Sequence, residues 1–199
     1  MRTIEIRRYS HTKKGEARGK GSHLSQSGVD LARRVGGTTG PFDLVLTSAI
    51  PRTLETAIAM GFGVHVQVPA LGEISPEVHD EIGHHQRWAW DDPFVEFASL
   101  TKRGGATARM GQVQVAIWRE ALESVLSDGR VLVVSHGRVI EVGLVAAVAE
   151  ADLVTLGGPF QHCEGARLTY GAGRFFDVQF MRLDADVLSV QHASREADR

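Results

Sequence analysis

Arg130-Val131-Leu132-Val133-Val134-Ser135-His136-Gly137 is the run on which the reading of this chain turns. Four apolar residues in succession, three of them β-branched, make a short strand with no polar face, the pattern of a strand covered on both sides. Ser135-His136-Gly137 interrupts the run, and Val139 to Val148 resumes as an almost wholly apolar helix. A buried strand that feeds a buried helix is half of an α/β unit, with His136 at the strand's carboxyl end.

The same alternation extends upstream. Gln112 to Ser127 carries Val115, Trp118, Leu122 and Val125 or Leu126 at helical spacing, closed by Asp128-Gly129. Phe42 to Thr47 reads as a strand, after which Ser48 is expected to cap a helix with Pro51 in its first turn and Leu54 and Ile58 four apart. Thr3 to Arg8 reads as the first strand, Ile4 and Ile6 on one face and Glu5 on the other. Between these two strands, Ser25 suits a helix cap, Leu24 and Val29 suit a hydrophobic staple, and Gly36-Gly37 a stop. Val64 to Val68, Ala166 to Tyr170 and Phe175 to Arg182 read as further strands. The pattern predicts an α/β fold, a three-layer sandwich with a mostly parallel central sheet and helices on both faces. Residues from about 75 to 108, with Trp88, Trp90, Asp91, Asp92 and Phe94, are less regular and read as a lobe inserted into a single domain spanning 1–199.

With 199 residues, 43% of them hydrophobic, the chain suffices for one sizeable core and is short for two. A net charge of -2 gives no general attraction to nucleic acid or to an anionic membrane. The opening residues show no apolar leader and no stretch is long enough to span a bilayer, so a cytoplasmic location is expected. The single cysteine, Cys163, precludes an internal disulfide and reads as a small packed hydrophobe. His84-His85 lacks a third ligand at useful spacing, and neither a metal nor a cofactor is expected. Charge is concentrated locally: Arg7, Arg8, Lys13, Lys14, Arg18 and Lys20 face Glu16 alone between residues 7 and 20. That excess suits a small anionic partner, delivered by a glycine-containing loop or simply solvated.

Ligands of parallel sheets sit beyond the strands' carboxyl ends, where Arg8, the Ser48 to Arg52 turn and His136 all fall. Two guanidiniums, an imidazole and helix N-termini together make a phosphate site. At this point the chain resembles the histidine phosphatase superfamily, whose members include phosphoglycerate mutases and phosphomonoesterases. The resemblance rests on Arg8-Tyr9-Ser10 where the family carries Arg-His-Gly, on Ser48-x-x-x-Arg52-x-x-x-Thr56-Ala57, on Leu71-Gly72-Glu73-Ile74, and on Ser135-His136-Gly137. It implies a phosphoglycerate mutase-like fold and a two-step phosphoryl transfer through a phosphoenzyme. Arg8, Arg52 and His136 would bind the phosphoryl oxygens and Glu73 would donate the proton, with Glu77 and Glu81 as nearby competitors for that role.

Tyr9 is the departure, because the family's nucleophile there is histidine. A phenol, with a pKa of about 10, is a poor nucleophile at neutral pH unless neighbouring cations lower that value. His11 is a second candidate, displaced by about 6–7 Å along an extended chain, whereas a 1 Å error already costs about a hundredfold. The resemblance therefore implies a metal-independent phosphomonoesterase acting on a small phosphorylated substrate and impaired at Tyr9. The alternative is a phosphate-ligand binder without turnover on the same fold, and a phosphoglycerate-type mutase is a lesser one.

Overall fold

The apolar run at 131–134 lies inside a strand spanning Arg130–Ser135, and all four of its side chains are fully buried. The structure is a computed structural model that describes residues 1–13, 21–83, 92–153, 155 and 157–183. In chain order the elements are β1 (Arg2–Arg8), α1 (Gln26–Gly36), β2 (Leu44–Thr47), α2 (Pro51–Ala59), β3 (Val66–Gln67), a 3-10 turn (Pro69–Leu71), α3 (Pro76–Ile82), α4 (Pro93–Lys102) and α5 (Ala106–Glu123). They close with β4 (Arg130–Ser135), α6 (Gly137–Ala147), β5 (Gly165–Gly171) and β6 (Arg174–Met181).

Among the described residues one sheet forms, ordered β3-β2-β4-β1-β5-β6, in which only β5 runs against the rest. Val131 and Val133 pack with Ile4, Ile6 and α3 to α6 on one face, while Leu132 and Val134 meet Leu31 and Val35 of α1 and Ala57 of α2 on the other. Each such side chain contributes roughly 1.5–3 kcal/mol on burial, so a strand without a polar face is stable only between two helical layers. The expected α/β sandwich is therefore the observed one. Its register places Arg8 beside Ser135 and Thr47 beside Val134. Because β5 is antiparallel to β1, the loop entering β5 reaches the rim at which β1, β2 and β4 end.

The alternation that buries Ile4 and Ile6 turns Glu5 to the opposite face, where it is 1% exposed. Its carboxylate accepts hydrogen bonds from Arg7 at 3.2 Å, Arg130 at 3.1 Å, Arg167 at 2.8 Å and the Thr39 hydroxyl at 2.8 Å. Burial alone would raise this carboxyl; Arg7, Arg167 and Thr39 more than reverse that and hold it below its ordinary value. The cluster joins β1, β4 and β5 through one anion.

Several local expectations differ from the fold. Ser48 does not cap α2: the N-cap is Ile50, and Leu54 and Ile58 do not form a core stripe, since Ile58 is 58% exposed and Thr53, Thr56 and Ala57 face inward. Helix α5 begins at Ala106, six residues before the expected start, because Glu81 accepts the Ala106 and Thr107 amides and so caps it from α3. Leu126 lies beyond that helix and is 81% exposed. Of the expected inserted segment, α3, α4 and the start of α5 are described, whereas His84, His85, Trp88, Trp90 and Asp91 lie outside the described residues, as do Lys14, Arg18 and Lys20. No helix among the described residues is long and apolar enough to cross a membrane.

Replacing Glu5 by Gln strands three guanidiniums and is expected to cost about 3–5 kcal/mol at neutral pH. A carboxylate with a lowered folded pKa stabilises above its unfolded pKa, and that stability is lost as pH falls through the folded value. Urea unfolding should therefore show the difference between the unmodified chain and Glu5→Gln shrinking at pH values below about 4.

Candidate active site

Arg8 and Tyr9 are held from both sides by backbone. The Arg8 N–H donates to the Glu164 carbonyl at 2.8 Å, the Arg8 carbonyl accepts from Cys163 at 3.0 Å, and the Tyr9 N–H donates to the Ser135 carbonyl at 3.0 Å. The Arg8 guanidinium donates to the Phe160 carbonyl at 2.6 Å, and the Phe160 N–H donates to Glu141 at 3.2 Å. Glu141 is fully buried within mostly apolar α6, so the backbone of one residue, Phe160, bridges a buried carboxylate and the Arg8 guanidinium.

The second arginine enters from the first turn of α2. Its Nη2 donates to Nδ1 of His136 at 3.2 Å, and because a guanidinium only donates, the imidazole proton sits on Nε2. That nitrogen lies 3.1 Å from Oγ of Ser48, which also accepts the Ile50 amide and lies 2.8 Å from the Thr53 hydroxyl. His136 is 8% exposed, and burial, followed by the Arg52 and Arg8 charges, pushes it down to about 3. It is neutral at physiological pH. Gly72 makes room for this arrangement, since a Cβ there would stand 3.0 Å from His136 Nε2 and 2.9 Å from Ser48 Cβ.

Tyr9 lies across the same rim. The Arg52 guanidinium sits 4.5 Å from its ring centre, and the His136 ring 5.2 Å. Burial lowers Arg52 from its ordinary value; the Tyr9 hydroxyl, hydrogen-bonded to it, acts in the opposite sense, and Arg8 adds repulsion. His162 meets Tyr9 edge-on at 5.6 Å and packs at 4.2 Å against the tilted ring of His11.

The structure therefore brings together Arg8, Tyr9, Arg52 and His136. His11 joins them through His162, its carbonyl fixed by the Ser25 amide at 3.1 Å. Gly28 packs so closely on that carbonyl that an added Cβ would clash at 2.1 Å. Glu73 follows Gly72 but is exposed, lining a groove of about 380 Å³ with Arg109, Gln114 and Glu77. Glu81 is engaged as the α5 cap. Cys163 is fully buried, and burial pushes its thiol up to about 11. Among the described residues no three His, Cys, Asp or Glu side chains group as metal ligands.

A family model for the histidine phosphatase superfamily (branch 1) matches residues 8–179. The chain belongs to that superfamily. Solved structures with the same fold include the phosphoserine phosphatase of Entamoeba histolytica in complex with 3-phosphoglyceric acid, 16% identical, with TM-score 0.67 over 94% of this chain and 100% of that one. They also include a phosphoglycerate mutase from Bacillus anthracis (17%, TM-score 0.64, 94% and 95% covered) and a mycobacterial glucosyl-3-phosphoglycerate phosphatase complexed with VO3 (19%, TM-score 0.64, 92% and 100% covered). No curated protein matches by sequence.

Three groups of this histidine phosphatase rim were missed by sequence reasoning. Ser48 was read as a helix cap, and its true partner, His136, is 88 residues away. Glu141 was passed over within an apolar helix. His162 carried a topological signal: it lies three residues before a strand antiparallel to β1, so it must fall where β1 ends.

The neutral His136 has a consequence for stability. Between pH 3 and 6.5 the unfolded chain binds a proton that folded His136 refuses, so this group makes the folded state less stable as pH falls through that window. Thermal unfolding of the ligand-free chain should lose stability from pH 6.5 downward, and His136→Gln should show a shallower loss.

Proposed function

We propose that this chain is a metal-independent phosphomonoesterase of the histidine phosphatase type, acting on a small phosphorylated substrate and slowed by the presence of Tyr9 at the nucleophile position. The observation that carries the reading is the convergence of Arg8, Arg52 and His136 on the Tyr9 ring, at the end of the sheet where α2 and α6 begin. Two guanidiniums and helix N-termini suit a phosphoryl group whose charge spreads over its outer oxygens during transfer. The relatives solved with 3-phosphoglyceric acid and with VO3 support the ligand class.

In this reading Arg52 releases His136 Nδ1 and turns to the phosphoryl oxygens beside Arg8. His136 supplies its Nε2 proton from Ser48 to a third oxygen, remaining a neutral donor. Tyr9 attacks phosphorus, Glu73 protonates the departing ester oxygen, and water then hydrolyses the phosphoenzyme. We assign the attack to Tyr9 rather than His11, whose backbone is locked to α1 through Ser25. Glu73 must swing from its exposed groove to reach the ester oxygen.

A second reading, a phosphate-ligand binder without turnover, is favoured by one observation: Tyr9 already lies over the Arg52 guanidinium. Hydrolysis of a generic phosphomonoester at mildly acidic and neutral pH separates the two. The phosphatase reading expects measurable turnover, a gain of tenfold or more in Tyr9→His, and a loss of about a hundredfold in His136→Ala. Turnover by the unmodified chain equal to that of Tyr9→His contradicts the impairment. Phosphate binding without turnover in either form supports the binder.

A further inference from the structure

A phenol attacks phosphorus only as it gives up its proton, and a nucleophile of this kind works beside a group that accepts it. Among the described residues the imidazoles against Tyr9 are His136 and His162. His136 is unsuited: in turnover its Nε2 proton is given to a phosphoryl oxygen, and burial beside two guanidiniums opposes the further positive charge that a second proton would bring. Arg52 donates to the phenol oxygen and leaves the phenol's own proton to be placed elsewhere.

His162 meets the Tyr9 ring edge-on, is half-buried rather than enclosed, and lies against the tilted ring of half-buried His11. The groups around the pair are Arg8 and Arg52 on the Tyr9 side, His136 across the ring, His11 behind His162, and neutral Cys163 next in the chain. Imidazole is the side chain suited to exchange a proton near neutrality.

We propose that Tyr9 and His162 form a proton-sharing pair, in which His162 takes the phenol proton as the Tyr9 oxygen bonds to phosphorus. This rests on the phosphatase reading above for its role in turnover. The steps balance: the phenol oxygen–phosphorus bond forms as the ester bond breaks, the phenol proton passes to His162, and the leaving oxygen takes a proton from Glu73. In hydrolysis, water attacks phosphorus and gives a proton to Glu73, while the departing phenol oxygen recovers its proton from His162. His11, packed at a tilt against it, is a positioning residue for the His162 ring.

The chain has two tyrosines, so Tyr170→Phe leaves Tyr9 as the only one. With its Cζ labelled with carbon-13, the Tyr9 resonance should show an inflection between about pH 5 and 8, where imidazoles titrate. His162→Gln should abolish that inflection, and His136→Gln should preserve it. In turnover, His162→Gln should lower kcat by about a hundredfold or more with KM within threefold, and added imidazole should restore part of the loss to His162→Gly. An inflection that survives His162→Gln overturns the pair, as does a kcat within twofold of the unmodified chain. An inflection that disappears with His162 in a chain that never turns over overturns the phosphatase reading and leaves the pair standing.

Discussion

Two guanidiniums, Arg8 and Arg52, reach one rim of a sheet whose interior is apolar, and their mutual repulsion is the constraint around which the rest of the site is arranged. Burial and each other's charge oppose both, yet each is held in place by acceptors that cost little volume. Arg8 has the Phe160 carbonyl, and Arg52 has an imidazole nitrogen and a phenol oxygen. The imidazole can serve only if it stays neutral, which is what burial and the two cations enforce on His136. Two guanidiniums at one rim suit an anion such as a phosphoryl group, the ligand class proposed above.

Neutral His136 in turn fixes much of the surrounding sequence. Its Nε2 proton needs an acceptor, supplied by Ser48, whose oxygen is oriented by the Ile50 amide and the Thr53 hydroxyl. Gly72 must remain without a side chain beside both. On the opposite face of the sheet, Glu5 solves the converse problem, one buried carboxylate among three arginines, and ties together the strands that carry Arg8 and His136. Scaffold and rim thus use opposite charge arrangements, an anion among three cations in one and two cations around a neutral imidazole in the other.

The fold was legible because its signals are local. The apolar run at 131–134, the Ile4-Glu5-Ile6 alternation and the Ser25 cap each state their structure within a few residues, and each appears as expected. Helix α2 was misread because Ile58 has the right spacing for a core stripe but Thr53 and Thr56 occupy the inward face, where their hydroxyls bond back to the helix's own carbonyls. Helix α5 starts early because its cap, Glu81, comes from another helix. At the site, Arg8, Arg52 and His136 were visible through strand ends and spacing. His162 and Glu141 were not, because their places at the rim arise from a contact across more than a hundred residues or through the backbone of an intervening residue, Phe160.

The central claim is that the Arg8, Arg52 and His136 rim is an oxyanion site. Calorimetric titration of vanadate tests it most directly, comparing the unmodified chain with Arg52→Met, which keeps much of the side chain's length and removes the charge. Loss of a partly buried guanidinium should weaken binding by tenfold or more, since charge-assisted bonds are worth about 1.5–3 kcal/mol. Equal affinity in the two proteins would contradict the account.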